Sequence, residues 1–267
     1  MFISINGIQY HYQVQGDGYP LLLLHGFTGS TENWWPLIPD LAESFQTITV
    51  DLPGHGKTES PTDYLRYAME SVSKDIIQLM ESLDHERFNL LGYSMGGRTA
   101  LYLAVHYPDR INKLILESAS PGLKTAAERE GRREFDNKLA NRIQEEGIDK
   151  FVAFWESISL WESQESLPDN VKTNLRKIRL ANNADGLVKS LRGAGTGEQP
   201  SVWPHLPKIE NPVLLLTGEL DHKFCDIAAE MLSKLPNGQH QVVLKAGHTV
   251  HLENPNRWLE VIQNFLS

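Results

Sequence analysis

Short aliphatic runs recur along the chain and alternate with stretches of helical spacing. The runs are residues 21–24, 47–50, 88–91, 114–116, 213–216 and 242–244. Their unbroken apolar character is typical of strands that are buried on both faces of a sheet. The stretches of helical spacing include residues 34–43, 72–83 and 98–106. This alternation predicts an α/β protein, in which crossover helices connect the strands of a parallel sheet.

Each end of the chain adds one predicted element. Apolar and polar residues alternate on either side of Asn6-Gly7, a dipeptide that readily adopts positive φ at both centres of a tight turn. We therefore predict a hairpin over residues 2–13. A final helix is predicted to begin near Pro255, because proline is tolerated in the first turn of a helix.

Residues 121–210 break the alternation, because they contain no strand-like run and their pattern is helical with glycine and proline interruptions. We interpret them as an inserted helical cap, here called the cap segment, with residues 1–120 and 211–267 as the core. The cap segment has 14 basic and 14 acidic residues, so the core carries the whole net charge of −9. The basic residues form two clusters, Arg129, Arg132 and Arg133, and Lys172, Arg176, Lys177 and Arg179.

Composition and charge narrow the classes of function. A chain with 40% hydrophobic and 22% charged residues is typical of a folded globular protein. The negative net charge disfavours nucleic acid and anionic lipid as partners. No apolar run is long enough for a membrane helix, and the first residues lack the pattern of a secretory signal. With one cysteine, Cys225, no internal disulfide can form, and we expect a cytoplasmic protein, a monomer by default.

A glycine-flanked serine follows one of the predicted strands. Gly92-Tyr93-Ser94-Met95-Gly96 comes directly after residues 88–91 and before a helical stretch. A strand, a sharp turn and a helix form the context of a nucleophile elbow, which lifts the serine hydroxyl above the sheet edge. The turn brings the backbone so close that a Cβ atom at Gly92 or Gly96 would collide with it. The G-x-S-x-G pattern alone is weak, since chance produces it in about one chain in ten. Its context makes Ser94 the candidate nucleophile or base.

Two residues downstream complete a predicted catalytic triad. A serine hydroxyl needs a histidine to accept its proton, and the histidine needs a carboxylate to fix its tautomer. Asp221 follows the predicted strand 213–216, and His248 follows 242–244. Both therefore lie beyond the carboxyl ends of predicted strands, where parallel sheets build their sites.

Three nearby residues have competing interpretations. Glu219 lies in the same loop as Asp221 and is the second candidate for the carboxylate, since Asp221 lies closer to the apex of the loop. His251 forms a His-x-x-His pair with His248, but no further ligands with suitable spacing accompany it, so we expect no metal and a structural role. His55 could act as a second base, although a turn-packing role explains it equally well.

An oxyanion hole requires two backbone N–H groups beside the serine. One comes from the residue after the nucleophile, here Met95. The other comes from the loop after an early strand, and His25-Gly26-Phe27 directly follows residues 21–24. We therefore predict the N–H groups of Phe27 and Met95 as the two donors.

Together these motifs resemble those of the α/β-hydrolase superfamily over nearly the whole chain. The resemblance rests on His25-Gly26-Phe27, on residues 51–56, 92–97 and 218–221, and on Gly247-His248. It implies an α/β-hydrolase fold, which is a mostly parallel eight-stranded sheet with helices on both faces and an inserted helical cap.

A closer similarity is to the 2-succinyl-6-hydroxy-2,4-cyclohexadiene-1-carboxylate synthase family of menaquinone biosynthesis. It rests on residues 92–98, Ser120-Pro121-Gly122-Leu123 and the arginine-rich residues 128–133. The similarity implies a lyase whose triad serves as a base. The triad would remove a proton α to a succinyl ketone, and pyruvate would leave 2-succinyl-5-enolpyruvyl-6-hydroxy-3-cyclohexene-1-carboxylate. Proton abstraction and enolate stabilisation need only protein groups, so no cofactor is expected.

The same similarity implies which residues bind this small polyanionic substrate. They are Tyr93, Arg98, Arg132, Trp155 and Arg176. A planar guanidinium group binds a carboxylate bidentately, as a lysine does not. Arg129 lies three residues before Arg132, and Arg179 lies three residues after Arg176. The sequence therefore leaves open which arginine of each pair binds the substrate. Trp155 is equally compatible with packing in the core of the cap.

Two other functions are compatible with the same residues. A serine hydrolase of small esters or of carbon–carbon bonds would use Ser94 as a true nucleophile. It would have an apolar cap, whereas a polyanionic substrate requires arginines that point inward. A fold member that only binds a ligand is disfavoured by the complete triad. The sequence leaves open whether Ser94 acts as a base or as a nucleophile.

Overall fold

One eight-stranded sheet organises the protein, and the computed structural model describes all 267 residues. In chain order the strands are β1 (Phe2–Ile5), β2 (Ile8–Gln15), β3 (Tyr19–Leu24), β4 (Phe45–Val50), β5 (Phe88–Tyr93), β6 (Ile111–Glu117), β7 (Val213–Gly218) and β8 (Gly238–Val243). Their order across the sheet is β1-β2-β4-β3-β5-β6-β7-β8. The pairs β1–β2 and β2–β4 are antiparallel, and the other neighbouring pairs are parallel. The predicted mostly parallel eight-stranded sheet is confirmed.

Nine α-helices connect or flank these strands. They are α1 (Ile38–Ala42), α2 (Met69–Ser82), α3 (Met95–His106), α4 (Ala126–Glu156), α5 (Asp169–Leu180), α6 (Ala184–Ala194), α7 (His222–Leu232), α8 (Val250–Glu253) and α9 (Pro255–Leu266). The final helix begins at Pro255, as its position in the sequence predicts. No helix combines the length and the apolar character that crossing a membrane requires.

Both faces of the sheet are covered by helices. Residues of α2, α3 and α7 form one hydrophobic cluster with Leu22 and Leu24 of β3. Residues of α1 and α9 form a second cluster with Leu21 and Leu23 of the same strand. Because successive side chains of a strand point to opposite faces, burial of both faces explains why the strand runs are continuously apolar.

Two predicted elements differ from the structure. Residues 34–43 do not form one helix, since a 3₁₀ turn over Thr31–Trp34 precedes the five-residue α1. Pro39 explains the break, because it lacks the backbone N–H that a continuous helix would bond to the carbonyl oxygen of Trp35. The burial expected for residues 242–244 is also wrong, since Val242 is 45% and Leu244 65% exposed. The reason is that β8 is the edge strand of the sheet.

The cap segment contains helices α4, α5 and α6 and no strand, in agreement with its pattern. Helix α4 is interrupted at Gly147, where φ is 79°. Eight buried residues of α4 and α6 pack together as a small hydrophobic core of their own. The boundaries of the cap segment, at residues 121 and 210, remain a prediction.

Two glycines bring the cap segment into backbone contact with the core. Gly54 lies in the loop after β4 with a φ of 79°, and Gly186 lies in the first turn of α6. A Cβ atom on either glycine would lie 2.5 Å from the carbonyl oxygen of the other. Asn182 reinforces this contact, because its side chain donates to the carbonyl oxygen of Thr28 at 2.8 Å and accepts from the N–H of Gly56 at 3.0 Å. Helix α6 is therefore seated directly on the loops at the carboxyl edge of the sheet.

Candidate active site

Ser94 lies at a sharp turn between β5 and α3. Its backbone has a φ of 50° and a ψ of −107°, a strained conformation for a residue with a side chain. A Cβ atom on Gly92 would overlap the carbonyl oxygen of Gly96, and one on Gly96 would overlap that of Leu24. The flanking glycines are therefore required by the close approach of the backbone, as the motif predicts.

The structure brings the three predicted triad side chains into contact. His248 Nε2 lies 3.0 Å from Ser94 Oγ, and His248 Nδ1 lies 2.6 Å from Asp221 Oδ2. The tautomer that satisfies both contacts has Nδ1–H donating to Asp221 and Nε2 accepting from the serine hydroxyl. The imidazole and the carboxylate are both buried, so little water competes for these hydrogen bonds. This arrangement can move a proton away from Ser94.

Both predicted oxyanion donors are free to bind an oxygen atom. Met95 is the first residue of α3, so its N–H has no partner one turn earlier in the helix. Phe27 lies in the turn after β3, and its N–H forms no hydrogen bond. A Cβ atom on the preceding residue, Gly26, would lie 3.5 Å from Ser94 Cβ, so this turn runs beside the serine.

A buried network holds the turn that carries Phe27. His25 Nδ1–H donates to the carbonyl oxygen of Gly26 at 2.8 Å, and His25 Nε2 accepts from the N–H of Leu52 at 3.0 Å. Asp51 accepts hydrogen bonds from the N–H groups of Thr31 and Lys57 at 2.6 and 2.9 Å. The loops after β3 and β4 are thereby fixed to one another.

The three residues with competing interpretations, Glu219, His251 and His55, make contacts outside the triad. Glu219 is exposed and accepts from the N–H of Lys245 at 3.0 Å, so it is not the partner of the triad histidine. His251 Nδ1 lies 2.9 Å from the buried carboxylate of Glu117, which agrees with a structural role. His55 is buried, and its Nδ1–H donates to a backbone carbonyl in its own loop.

A cavity of about 370 Å³ opens onto the triad. The core side of its wall includes Ser94, His248, Phe27 and Met95. Helices α4 and α6 and the 3₁₀ stretch Ser159–Ser166 supply the opposite side. The candidate reacting groups and the cap segment therefore line the same cavity.

Arg98 lines this cavity one helical turn beyond Ser94. Its Nη1 donates to the carbonyl oxygen of Ala194 at 3.1 Å and to Gln199 Oε1 at 3.3 Å, and it forms no ion pair. Burial, with the positive charge of Arg132 nearby, lowers the pKa of Arg98 to about 10, so the group stays cationic at neutral pH. Arg98 thus offers the cavity a positive charge without a carboxylate partner.

The first arginine cluster of the cap segment has one member at the cavity wall. Arg132 lines the cavity, and its Nε donates to Asp136 Oδ1 at 2.7 Å. Arg129 instead donates to the carbonyl oxygen of Leu123 at 3.1 Å and does not line the cavity. Of these two arginines, Arg132 is the one that the structure places at the cavity wall.

The second arginine cluster does not reach the cavity. Arg176 forms an ion pair with Glu156, and the structure does not place this predicted substrate-binding residue at the cavity wall. Arg179 is buried and pairs with the same carboxylate at 3.1 Å. Glu156, at the end of α4, pairs with both guanidinium groups, and that of Arg179 also lies over the ring of Trp161, 5.2 Å from its centroid.

The two predicted aromatic residues both lie at the cavity wall. Trp155 stacks on Phe151, with ring centroids 5.8 Å apart, and also lines the cavity, so packing and ligand contact are compatible. The Tyr93 hydroxyl lies 2.7 Å from Thr249 Oγ1, and burial raises the pKa of Tyr93 far above its usual value. Tyr93 is therefore a neutral hydrogen-bonding group.

Comparison with protein families agrees with this geometry. The model of the alpha/beta hydrolase fold family matches residues 19–255. The chain belongs to the α/β-hydrolase family.

Relatives within the α/β-hydrolase family are similar over nearly their whole length. A putative 2-succinyl-6-hydroxy-2,4-cyclohexadiene-1-carboxylate synthase of Bacillus subtilis is 42% identical over 264 residues, which are 98% of this chain and 96% of that protein. The synthase of the same name from Serratia proteamaculans is 30% identical over 95% of both chains. The structure of MenH from S. aureus has a TM-score of 0.92 at 35% identity and covers 96% of this chain and 97% of its own. The resemblance stated from the sequence is confirmed.

Three residues of this α/β-hydrolase site were not predicted from the sequence. Trp161 packs against the triad histidine with ring centroids 5.6 Å apart. Gln199 accepts a hydrogen bond from Arg98, and Asp136 pairs with Arg132. Of the three, only Asp136 could be found from the sequence, because it follows Arg132 by four residues, which is the spacing of a helical ion pair. A lone tryptophan or glutamine in a helical segment shows no pattern that separates a site from ordinary packing.

From the pKa of His55 we predict that the stability of this α/β-hydrolase depends on pH. Burial lowers the pKa of His55 to about 3, and its Nε2 has no hydrogen-bond partner. The unfolded chain binds a proton near pH 6.5, whereas the folded chain does not, so stability falls as the pH drops below that value. Between pH 7 and pH 5 the free energy of unfolding should lose about 2 kcal/mol through this residue.

Urea unfolding at pH 7 and pH 5 measures this loss. The variant His55→Gln should lose less stability than the wild type over the same interval, whatever its stability at pH 7. The variant His205→Gln, at an exposed position, should lose as much as the wild type. An equal loss in wild type and His55→Gln would contradict the prediction.

Proposed function

We propose that the chain is a 2-succinyl-6-hydroxy-2,4-cyclohexadiene-1-carboxylate synthase. This enzyme is a lyase that releases pyruvate from 2-succinyl-5-enolpyruvyl-6-hydroxy-3-cyclohexene-1-carboxylate. The observation that carries the proposal is one cavity lined by Ser94 together with Arg98 and Arg132. Relatives that bear this name match the chain over nearly its whole length, which supports the same conclusion.

The charge of the cavity suits a substrate with several carboxylates. Arg98 has no anionic partner, and a guanidinium fork can take one carboxylate through two parallel hydrogen bonds. Arg132 is neutralised in part by Asp136, so it can share its remaining N–H groups with a second carboxylate. The charge of Asp136 acts on Arg98 from nearby, but this carboxylate pairs with Arg132, so a neutral substrate would leave Arg98 without an ion pair of its own.

In the proposed reaction the triad acts as a base. His248 accepts the proton of the Ser94 hydroxyl, and Asp221 stabilises the imidazolium that forms. The serine oxygen then removes the proton α to the succinyl ketone. The electron pair moves onto the ketone oxygen, where the N–H groups of Phe27 and Met95 can stabilise the enolate. Each such donor is worth about 3 kcal/mol in the transition state.

Elimination follows from the enolate without any further reagent. Return of the electron pair shifts the ring double bond, forms a second one and breaks the carbon–oxygen bond to the enolpyruvyl group. Enolpyruvate leaves and takes up a proton at its methylene carbon to become pyruvate. The site gained one proton from the substrate and loses one to the product, so the triad returns to its starting state.

The proposed activity is tested by comparing two substrates on the same preparation. Pyruvate release from the enolpyruvyl substrate is followed beside hydrolysis of p-nitrophenyl acetate, a small neutral ester. We expect kcat/KM for the enolpyruvyl substrate on the order of 10⁴ M⁻¹ s⁻¹ or more, within the range of enzymes on their own substrates. Ester hydrolysis that is as fast as pyruvate release would favour the serine hydrolase with a nucleophilic Ser94 instead.

A further inference from the structure

The segment that carries His248 lacks the ladder hydrogen bonds of the sheet. Strand β8 ends at Val243, and α8 begins at Val250, so residues 244–249, which include His248, belong to neither element. His248 is oriented through its side chain by Asp221 and by packing against Phe224, with ring centroids 4.7 Å apart. The backbone of this segment therefore needs another source of order.

One carboxylate supplies hydrogen bonds on both sides of His248. Glu253 is the last residue of α8, and its side chain turns back towards the loop. Its Oε2 accepts from the N–H of Gly247 at 2.6 Å, and its Oε1 accepts from the N–H of Thr249 at 3.0 Å. The two oxygens of Glu253 thus hold the residues directly before and directly after His248.

We propose that Glu253 is a positioning residue, which fixes the backbone of His248 so that the imidazole bridges Ser94 and Asp221. The inference rests on the proposed function only in that it takes His248 as the proton acceptor. Glu253 makes no contact with the cavity, so it acts through the loop and not on the substrate.

The ionised carboxylate is required because it accepts at both oxygens. Hydrogen bonds from N–H groups to a carboxylate are shorter and about twice as strong as neutral ones. A glutamine has the same shape but only one accepting oxygen, and its amide N–H₂ would face a backbone N–H. An aspartate keeps the charge but is shorter by one methylene, so it cannot hold both N–H groups.

No other side chain around the loop binds the N–H groups of Gly247 and Thr249, although the N–H of Leu220 donates to the carbonyl oxygen of Ala246 at 2.9 Å. Thr249 Oγ1 contacts the Tyr93 hydroxyl and accepts from Gln164 Nε2 at 3.0 Å, so the threonine side chain is already committed. Glu117 accepts from the N–H of His251, three residues beyond His248. Neither contact involves the N–H groups of Gly247 or Thr249.

The test compares Glu253→Gln with the wild type. A small displacement of a reacting group costs up to roughly 100-fold in rate, so we expect kcat for pyruvate release to fall by about 10- to 100-fold. KM should stay within about twofold, because the binding groups are untouched. The rate at which a fluorophosphonate labels Ser94 should fall by a similar factor to kcat. The low-field NMR resonance of the His248 Nδ1 proton should weaken or shift.

The matched control is Glu260→Gln, an exposed glutamate of α9 that pairs with Arg257 at 2.7 Å. It should leave kcat, labelling and the proton resonance unchanged. If Glu253→Gln fails to fold, Glu253→Asp serves as the second variant and should show the same losses. Folded variants of Glu253 with wild-type kcat, labelling rate and resonance would overturn the proposal, even if their thermal stability fell.

Failure of this inference is distinguishable from failure of the proposed function. Labelling of Ser94 and the resonance of His248 need no enolpyruvyl substrate. A wild type that labels rapidly but releases no pyruvate would contradict the lyase and still test Glu253.

Discussion

The variant Ser94→Ala is expected to lose pyruvate release almost completely, with kcat lowered on the order of 10⁴-fold. Without the hydroxyl, His248 has no atom through which to take the substrate proton, although Arg98 and the oxyanion donors remain. Stability should be unchanged, because alanine meets the same strain as serine at a φ of 50°. The measurements are steady-state pyruvate release and the thermal unfolding midpoint.

A second serine provides a control for this variant. Ser73 lies in α2, outside the cavity wall, and its buried hydroxyl has no hydrogen-bond partner. The variant Ser73→Ala should therefore keep its kcat within a few-fold of the wild type. His248→Ala should resemble Ser94→Ala, because the two residues act as one unit. Near-full activity in either triad variant would refute the assignment of the base.

The variant Arg98→Ala is expected to lower kcat/KM for the anionic substrate by roughly 100-fold. Hydrogen bonds to charged groups are worth about 1.5–3 kcal/mol, and 1.4 kcal/mol corresponds to a factor of ten. The loss should be much smaller with p-nitrophenyl acetate, which has no carboxylate for the guanidinium to bind. The kcat/KM of Arg98→Lys should lie between those of the wild type and Arg98→Ala, because lysine keeps the positive charge but lacks the planar guanidinium fork.

Arg176→Ala is the matched control for charge removal. Arg176 is a partly exposed arginine that pairs with Glu156 outside the cavity, so its loss should change kcat/KM by less than a few-fold. Equal losses for Arg98→Ala on the anionic substrate and on the neutral ester would indicate structural damage. In that case the proposed carboxylate contact would be wrong.

The triad positions are predictable from sequence because their signals are local. Ser94, Asp221 and His248 each follow a short apolar run, and the ends of parallel strands meet at one edge of the sheet. The alternation of runs and helical stretches likewise gives the α/β class. A strand at the edge of the sheet is not distinguished by this pattern, which is why residues 242–244 are more exposed than expected.

The arginines of the cap segment are not predictable in the same way. Arg129 and Arg132 are less than one helical turn apart, so both patterns fit an inward-facing α4. Which side chain enters the cavity depends on how α4 is rotated on the core, and that rotation is set by contacts distant in sequence. Arg176 illustrates the same limit, because its partner Glu156 is 20 residues away along the chain.

The contact between Gly54 and Gly186 restricts how this scaffold can acquire new specificity. The main chains of Gly54 and Gly186 touch with no side chain between them. A larger residue at either position would overlap the other main chain and displace α6. Changes in substrate range are consequently easier to obtain along α4, where side chains form the wall. Directed evolution of the protein should find tolerated substitutions along α4 and none at Gly54 or Gly186.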